Sequence, residues 1–222
     1  MLLAIDTSTR VVGVALYDGV QVISEVVWRS QDYHTVELAP TVEQILSKSD
    51  LSIADIKVIA IALGPGSYTG LRIGLAFVKG LSLVEQKSVI GIPTFDILAA
   101  AQPVIGKQMV TVLRAGRGRL AVGWYRSTGD EWESMDKTEV ITTKELSAQI
   151  KRPTVVCGEL TADERRLLGR KRKKVVLSSP AQSIRRPSFL AELGWERWLS
   201  DIVDDPVTLS PIYLHQSNPI PG

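Results

Sequence analysis

The chain has one cysteine, Cys157, in 222 residues. A single thiol excludes an internal disulfide framework and fits an intracellular location. Only two histidines occur, His34 and His215, far apart in the chain. No apolar run approaches the roughly 20 residues of a membrane-spanning helix. The opening residues Met1-Leu2-Leu3-Ala4-Ile5-Asp6 lack a basic region and meet an acid at once. They read as a strand rather than a signal peptide. These absences point to a cytoplasmic, soluble protein with no membrane contact.

What is present is ordinary globular composition, 45% hydrophobic and 23% charged. It suits one large domain or two small ones. The net charge of +2 hides an asymmetry. Residues 1–106 hold seven Lys/Arg and ten Asp/Glu, a net −3, and residues 107–222 hold nineteen and fourteen, a net +5. The densest basic run is Arg165 to Lys174, in which seven of ten residues are cationic.

The chain is organised around Val58 to Gly74. An apolar strand, Val58 to Leu63, leads into Gly64-Pro65-Gly66-Ser67-Tyr68-Thr69-Gly70. Leu71, Leu75 and Val78 then recur at helical spacing. Such a loop can present backbone N–H groups to an anion. The spacing is neither a Walker A loop, since Leu71-Arg72 follow Gly70, nor a dinucleotide fingerprint. A tight strand-to-helix turn is the reading the spacing favours. Gly70 and Gly74 lie one helical turn apart and would allow close approach of another helix.

The order of elements predicts two lobes. Leu2 to Asp6, Val11 to Tyr17 and Val20 to Trp28 read as an antiparallel meander, with Asp18-Gly19 as a hairpin signal. A helix over 35–48 contains Pro40. A helix over 70–84, the strand Ser88 to Ile92 and a helix capped by Thr94 complete the first lobe. A boundary falls at Gln102 to Lys107. The opening pattern then partly recurs, with strands Met109–Leu113 and Leu120–Arg126 and one around Trp132. Thr142-Thr143-Lys144-Glu145 and Thr161-Ala162-Asp163-Glu164 are capping boxes. Ser188 to Val203, with Trp195 and Trp198, reads as an amphipathic helix. Pattern alone supports two α/β lobes.

Four stretches also carry a resemblance. Gly64-Pro65-Gly66-Ser67-Tyr68-Thr69-Gly70-Leu71-Arg72-Ile73-Gly74 resembles the signature of the TsaB family. Leu3 to Thr9 resembles its opening strand and turn, His34 to Pro40 its first helix, and Pro211-Ile212-Tyr213-Leu214 its C-terminal motif. The resemblance implies a two-lobed actin-like/Hsp70-like ATPase fold (the ASKHA, RNase H-like class) with a reduced second lobe. Lobes over 1–106 and 107–205 are expected, with 206–222 returning to the first. It further implies a non-catalytic partner that binds and activates TsaD, which transfers threonylcarbamoyl to the adenosine next to the tRNA anticodon. TsaE is implied as a further partner, tRNA as an indirect one, and a homodimer for the isolated chain. No intrinsic cofactor is implied, and ATP or ADP at the partner interface stays open. The implied contact helices are 35–48 and 70–84, with Leu38, Thr41, Val42, Ile45, Gly70, Leu71, Gly74, Phe77 and Val78 as interface residues. A bulky side chain at Gly74 is then expected to abolish partner binding in a folded monomer.

Catalytic alternatives are weighed against this. In actin-like ATPases the first strand ends in an aspartate that helps hold metal-nucleotide, which makes Asp6 the one cofactor-binding candidate. Its own turn, Thr7-Ser8-Thr9, offers the competing role of accepting backbone bonds. The second-lobe turn, Arg114 to Arg119, is basic, whereas TsaB relatives usually carry Asp at the position of Arg114. Cys157-Gly158-Glu159 has one glycine where an adenosine loop needs two. His34 with Glu37 falls short of the three ligands of a catalytic zinc. Roles as a helix cap and a solvated or partner-facing acid fit them better. Cys157 follows two valines and reads as core. Two rival functions remain at this level: an actin-like ATPase or small-molecule kinase, and an RNA-binding module using the basic run.

Overall fold

In a computed structural model of the chain, the described residues are 1–31 and 34–214, without the side chain of His34. They form strands β1 (Leu2–Asp6), β2 (Val11–Tyr17) and β3 (Val22–Arg29), then helix α1 (His34–Lys48). Next come β4 (Val58–Gly64), α2 (Tyr68–Glu85), β5 (Ser88–Pro93) and α3 (Thr94–Ala100). The later elements are β6 (Gln108–Arg114), β7 (Arg119–Thr128), β8 (Glu131–Thr142), α4 (Thr143–Gln149), β9 (Thr154–Gly158), α5 (Ala162–Gly169), β10 (Val175–Leu177) and α6 (Pro187–Leu199). The chain divides into two units. One is Met1–Ile97 with Arg185–Ile212, and the other is built on Leu98–Ile184.

The first unit holds a five-stranded sheet ordered β3-β2-β1-β4-β5. β1 pairs antiparallel with β2 and parallel with β4. Side chains alternate across the sheet with period two. Leu3 and Ile5 of β1 therefore meet Leu38, Val42 and Ile45 of α1 and Leu75 and Val78 of α2. Leu2 and Ala4 point the other way, onto Leu190 and Ala191 of α6. Each fully buried Leu or Ile of this kind contributes roughly 1.5–3 kcal/mol.

The position of α6 corrects the expected second lobe. This helix belongs to the first unit and ends at Leu199, short of Val203. The sheet face it covers carries Ala4, Ala15, Ala60 and Ala62. Small side chains there let a helix approach closely, and a Cβ at Gly194 would lie 2.7 Å from the Ala60 Cβ. Glu25 on β3 fixes the helix start by accepting from the Ser188 N–H at 3.0 Å and pairing with Arg186. The chain then runs along the sheet edge, where the Asp204 N–H donates to the Val89 carbonyl at 2.9 Å. The Ile212 N–H donates to the Leu63 carbonyl at 2.8 Å. The junction between units falls inside α3, not at the boundary expected near residue 106. Thr94 is not a cap: it is the first residue of α3, and its hydroxyl accepts from the Gly64 N–H at 3.0 Å.

The second unit repeats the topology. Its sheet reads β10-β9-β6-β7-β8, which from the other end is the strand order of the first. β6, β7, β8, β9 and β10 thus stand where β1, β2, β3, β4 and β5 stand. Leu146 of α4, Ile150 just after it, Leu168 of α5 and Trp124 of β7 close its core. Both capping boxes read from the sequence are formed, at Thr142–Glu145 and at Thr161–Glu164.

Candidate functional site

Asp6 is the last residue of β1, and its carboxylate is buried and occupied. Oδ1 accepts from the Ser8 N–H at 2.8 Å and from the Ser8 hydroxyl at 2.5 Å. Oδ2 accepts from Arg185 Nε at 2.8 Å. Arg185 also donates to Thr9 Oγ1 at 2.6 Å and to the Val11 carbonyl at 3.0 Å. The turn reading of Asp6 was legible; the arginine was not. It lies 179 residues away, and no spacing links the two. A metal ion at Asp6 would have to displace a guanidinium that neutralises the same carboxylate. Separating the two buried charges is strongly unfavourable.

The glycine loop packs against this same turn. The Ser67 N–H donates to the Ser8 carbonyl at 2.6 Å, and Ser67 caps α2 by accepting from the Gly70 N–H. Thr7 Oγ1 donates to the Gly70 carbonyl at 2.8 Å. A Cβ at Gly66 would run into the Ser8 carbonyl, at Gly70 into the Thr7 carbonyl, and at Gly74 into Thr7 Oγ1. The missing side chains therefore serve close approach of the β1–β2 turn. This corrects the expectation that Gly70 and Gly74 receive another helix.

The second unit carries the counterparts. Arg114 ends β6 as Asp6 ends β1. Its guanidinium pairs with Glu164 at 3.0 Å, and its N–H donates to Glu159 at 3.3 Å. Gly158 ends β9 as Gly64 ends β4, with φ of 114° and 113°. A Cβ at Gly158 would strike the Val112 carbonyl. Cys157-Gly158-Glu159 is thus the equivalent of the first unit's strand-to-helix turn, not an adenosine loop.

Other candidates resolve differently. Glu37 is half-buried and accepts from Trp28 Nε1 at 2.9 Å. The His34 side chain and His215 lie outside the described residues. Among the described residues no three His, Cys, Asp or Glu side chains gather as a metal site. Cys157 is buried, and burial pushes its thiol up to about 12. No helix among the described residues is long and apolar enough to cross a membrane.

The chain matches the family described as "TsaD: tRNA N6-adenosine threonylcarbamoyltransferase" over residues 21–175. It is 31% identical over 165 residues to the Haemophilus influenzae "tRNA threonylcarbamoyladenosine biosynthesis protein TsaB", covering 73% of this chain and 68% of that one. The chain belongs to the TsaB family. The Bacillus subtilis TsaB is 29% identical over 208 residues, 90% of each chain. The solved structure of "YeaZ from Pseudomonas aeruginosa" shares the fold, with a TM-score of 0.78 at 22% identity over 96% of this chain and 99% of that one. The fold is α/β with two mixed five-stranded sheets, and it is shared with the solved YeaZ structure.

Most of the partner residues that the TsaB resemblance implied are buried in the unit's own core. Leu38, Val42, Ile45, Leu71 and Val78 are at most 4% exposed. Gly70 and Gly74 are buried against the Thr7 turn. The error is one of helix face: 38, 42 and 45 mark the stripe that packs on the sheet. Thr41 and Phe77 keep partial exposure, with the Thr41 hydroxyl donating to the Glu37 carbonyl at 2.7 Å. The outward apolar side chains of the two helices are Val36, Leu83 and Val84, exposed to 65%, 68% and 80%. Between the helices runs a groove of about 470 Å³, lined in part by Ala39, Val42, Leu46, Phe77 and Leu81. The sequence signal for this surface was the set of apolar residues off the core stripe.

Proposed function

We propose that this chain is a non-catalytic subunit of a threonylcarbamoyladenosine-forming assembly, and that it acts by binding TsaD. The observation that carries the reading is the buried Asp6–Arg185 pair. The position that would hold a metal-nucleotide in an actin-like ATPase is neutralised from within the same unit. Its counterpart in the other unit is an arginine paired with Glu164. A fold that retains its strand order while its acidic groups are tied up suits a scaffold.

The docking surface in this reading is the outward side of α1 and α2. It carries exposed apolar side chains, and the groove between the helices accepts side chains of a partner helix. The contact set therefore shifts to Val36, Ala39, Phe77, Leu83 and Val84, with Thr41 at the margin. Without TsaD, the same surface pairs two copies of the chain. TsaE joins the assembly through TsaD, tRNA is its substrate, and the cytoplasm is its location. ATP or ADP belongs at the partner interface, not at the Asp6 turn.

The test is size-exclusion chromatography with light scattering on the chain alone and mixed with TsaD of the same organism. A one-to-one species is the expected result. Two unchanged peaks, with and without ATP and tRNA, would reject the reading. Tight ATP-Mg binding with turnover by the isolated chain would favour the kinase or ATPase alternative.

A further inference from the structure

We propose that one end of the second unit holds the phosphate backbone of a tRNA. The proposal deepens the reading above, in which tRNA is the substrate of the assembly.

Strands β9 and β10 run parallel, with Thr154 opposite Val175. The two segments that lead into them must therefore meet at one end of the sheet. Those segments are Lys151-Arg152-Pro153 and Arg170 to Lys174. A hydrogen bond from the Thr154 N–H to the Lys174 carbonyl, 2.8 Å long, ties them together. Six cations converge there: Lys151, Arg152, Arg170, Arg172, Lys173 and Lys174. All six are exposed. Lys171 differs. Its Nζ donates to the Ser147 carbonyl and fastens the turn to α4.

No carboxylate among the described residues pairs with any of the six. Asp163 and Glu164, just before Arg170 in the chain, pair with Arg166 and Arg114 at 3.0 Å each, and Glu145, before Lys151, is taken up by the Thr142 cap. No Asp or Glu occurs between Glu164 and Glu192. Like charges packed this closely repel, so the turn is held by its backbone and by Lys171 against its own electrostatics. An array of phosphates relieves that repulsion and releases counterions as it does so.

The surface is shaped as well as charged. A hollow of about 480 Å³ is lined by Arg170 to Lys174. Lys151 and Arg152 also line a second hollow of about 350 Å³, together with Trp124. The Trp124 indole N–H is buried with no hydrogen-bond acceptor among the described residues. No aromatic residue lies in the run 165–174, so base stacking is not the mode of contact. Residues 170–174 include no apolar anchor, which argues against insertion into a lipid surface.

The test uses the chain complexed with TsaD and a labelled, unmodified tRNA transcript that reads codons beginning with A. Anisotropy titrations over a range of salt compare the wild type with Arg172→Gln/Lys173→Gln/Lys174→Gln and with Lys151→Gln/Arg152→Gln. Arg29→Gln/Lys57→Gln in the first unit is the control, and light scattering on the same samples reports complex formation. The triple variant should form the complex, bind tRNA about tenfold more weakly, and lower the salt slope by about 2 to 3. The double variant should move the same way and the control should not move. An intact complex with unchanged affinity and slope overturns the proposal. So does an equal loss in the control, or binding of phosphatidylglycerol vesicles in preference to tRNA. A wild-type chain that forms no complex with TsaD rejects the reading beneath the proposal, and light scattering registers that failure separately.

Discussion

Arg185 Nε sits 2.8 Å from Asp6 Oδ2, with the two side chains only 1% and 2% exposed. The pair joins the end of the first strand to the segment that enters α6. Removing either member leaves an uncompensated buried charge, which costs about 3–5 kcal/mol. Arg185→Leu and Asp6→Asn should each lower the unfolding free energy from urea titration by that margin. The double variant should lose much less than the sum. Additive losses would show that the two groups act independently.

Gly74 faces Thr7 Oγ1 from inside the unit. Gly74→Ala should therefore destabilise by about 1–3 kcal/mol through overpacking. Combining it with Thr7→Ala removes the obstructing atom, and part of the loss should return. Gly74→Trp should unfold the unit, not yield a folded monomer deficient in partner binding. Thermal denaturation by circular dichroism distinguishes these outcomes.

Leu83 and Val84 project outward from α2, whereas Val78 faces the core. Leu83→Glu and Val84→Glu should change stability by no more than about 0.5 kcal/mol. Both should weaken TsaD binding by an order of magnitude in calorimetric titration. Val78→Glu should fail to fold. Undiminished binding by both surface variants would remove α2 from the interface.

Glu25 links stability to acid. Burial alone would raise its carboxyl, but hydrogen bonds from Arg186 and Ser188 outweigh burial and hold it below the ordinary value of 4.5. A depressed folded pKa means stabilisation that is complete above the ordinary range. It is lost as pH falls from about 4.5 through the folded value. Glu25→Gln should flatten that acid limb and leave stability at pH 7 lower. A wild-type acid limb in the variant would show that Glu25 does not contribute.

The Cys157 thiol, raised to about 12 by burial, should resist alkylation by iodoacetamide at pH 8 in the native protein. Intact mass should rise only after denaturant is added. Prompt native labelling would contradict the core position.

The strands and capping boxes were legible because they rest on local chemistry. The short apolar runs Leu2–Ile5 and Val11–Tyr17 and the Thr–x–x–Glu pairs need no distant partner. The glycine loop was legible as a tight turn, but the identity of its neighbour was not, since Thr7 reaches Gly70 across 63 residues. Arg185 was invisible for the same reason. The family resemblance placed Leu38, Val42 and Ile45 at a partner interface, but a single sequence does not say whether their helix face meets the sheet or a partner. The location of α6 was misread because its small residues match alanines on the first sheet, a complementarity that only the folded chain displays.

The most direct measurement is nucleoside mass spectrometry of tRNA from a reconstituted reaction containing TsaD, TsaE and a source of threonylcarbamoyl-adenylate, with and without this chain. Threonylcarbamoyladenosine should form when the chain is present and fall to background when it is omitted, while the chain alone turns over no ATP. Equal product without the chain, or ATP hydrolysis by the chain alone, would contradict a non-catalytic partner.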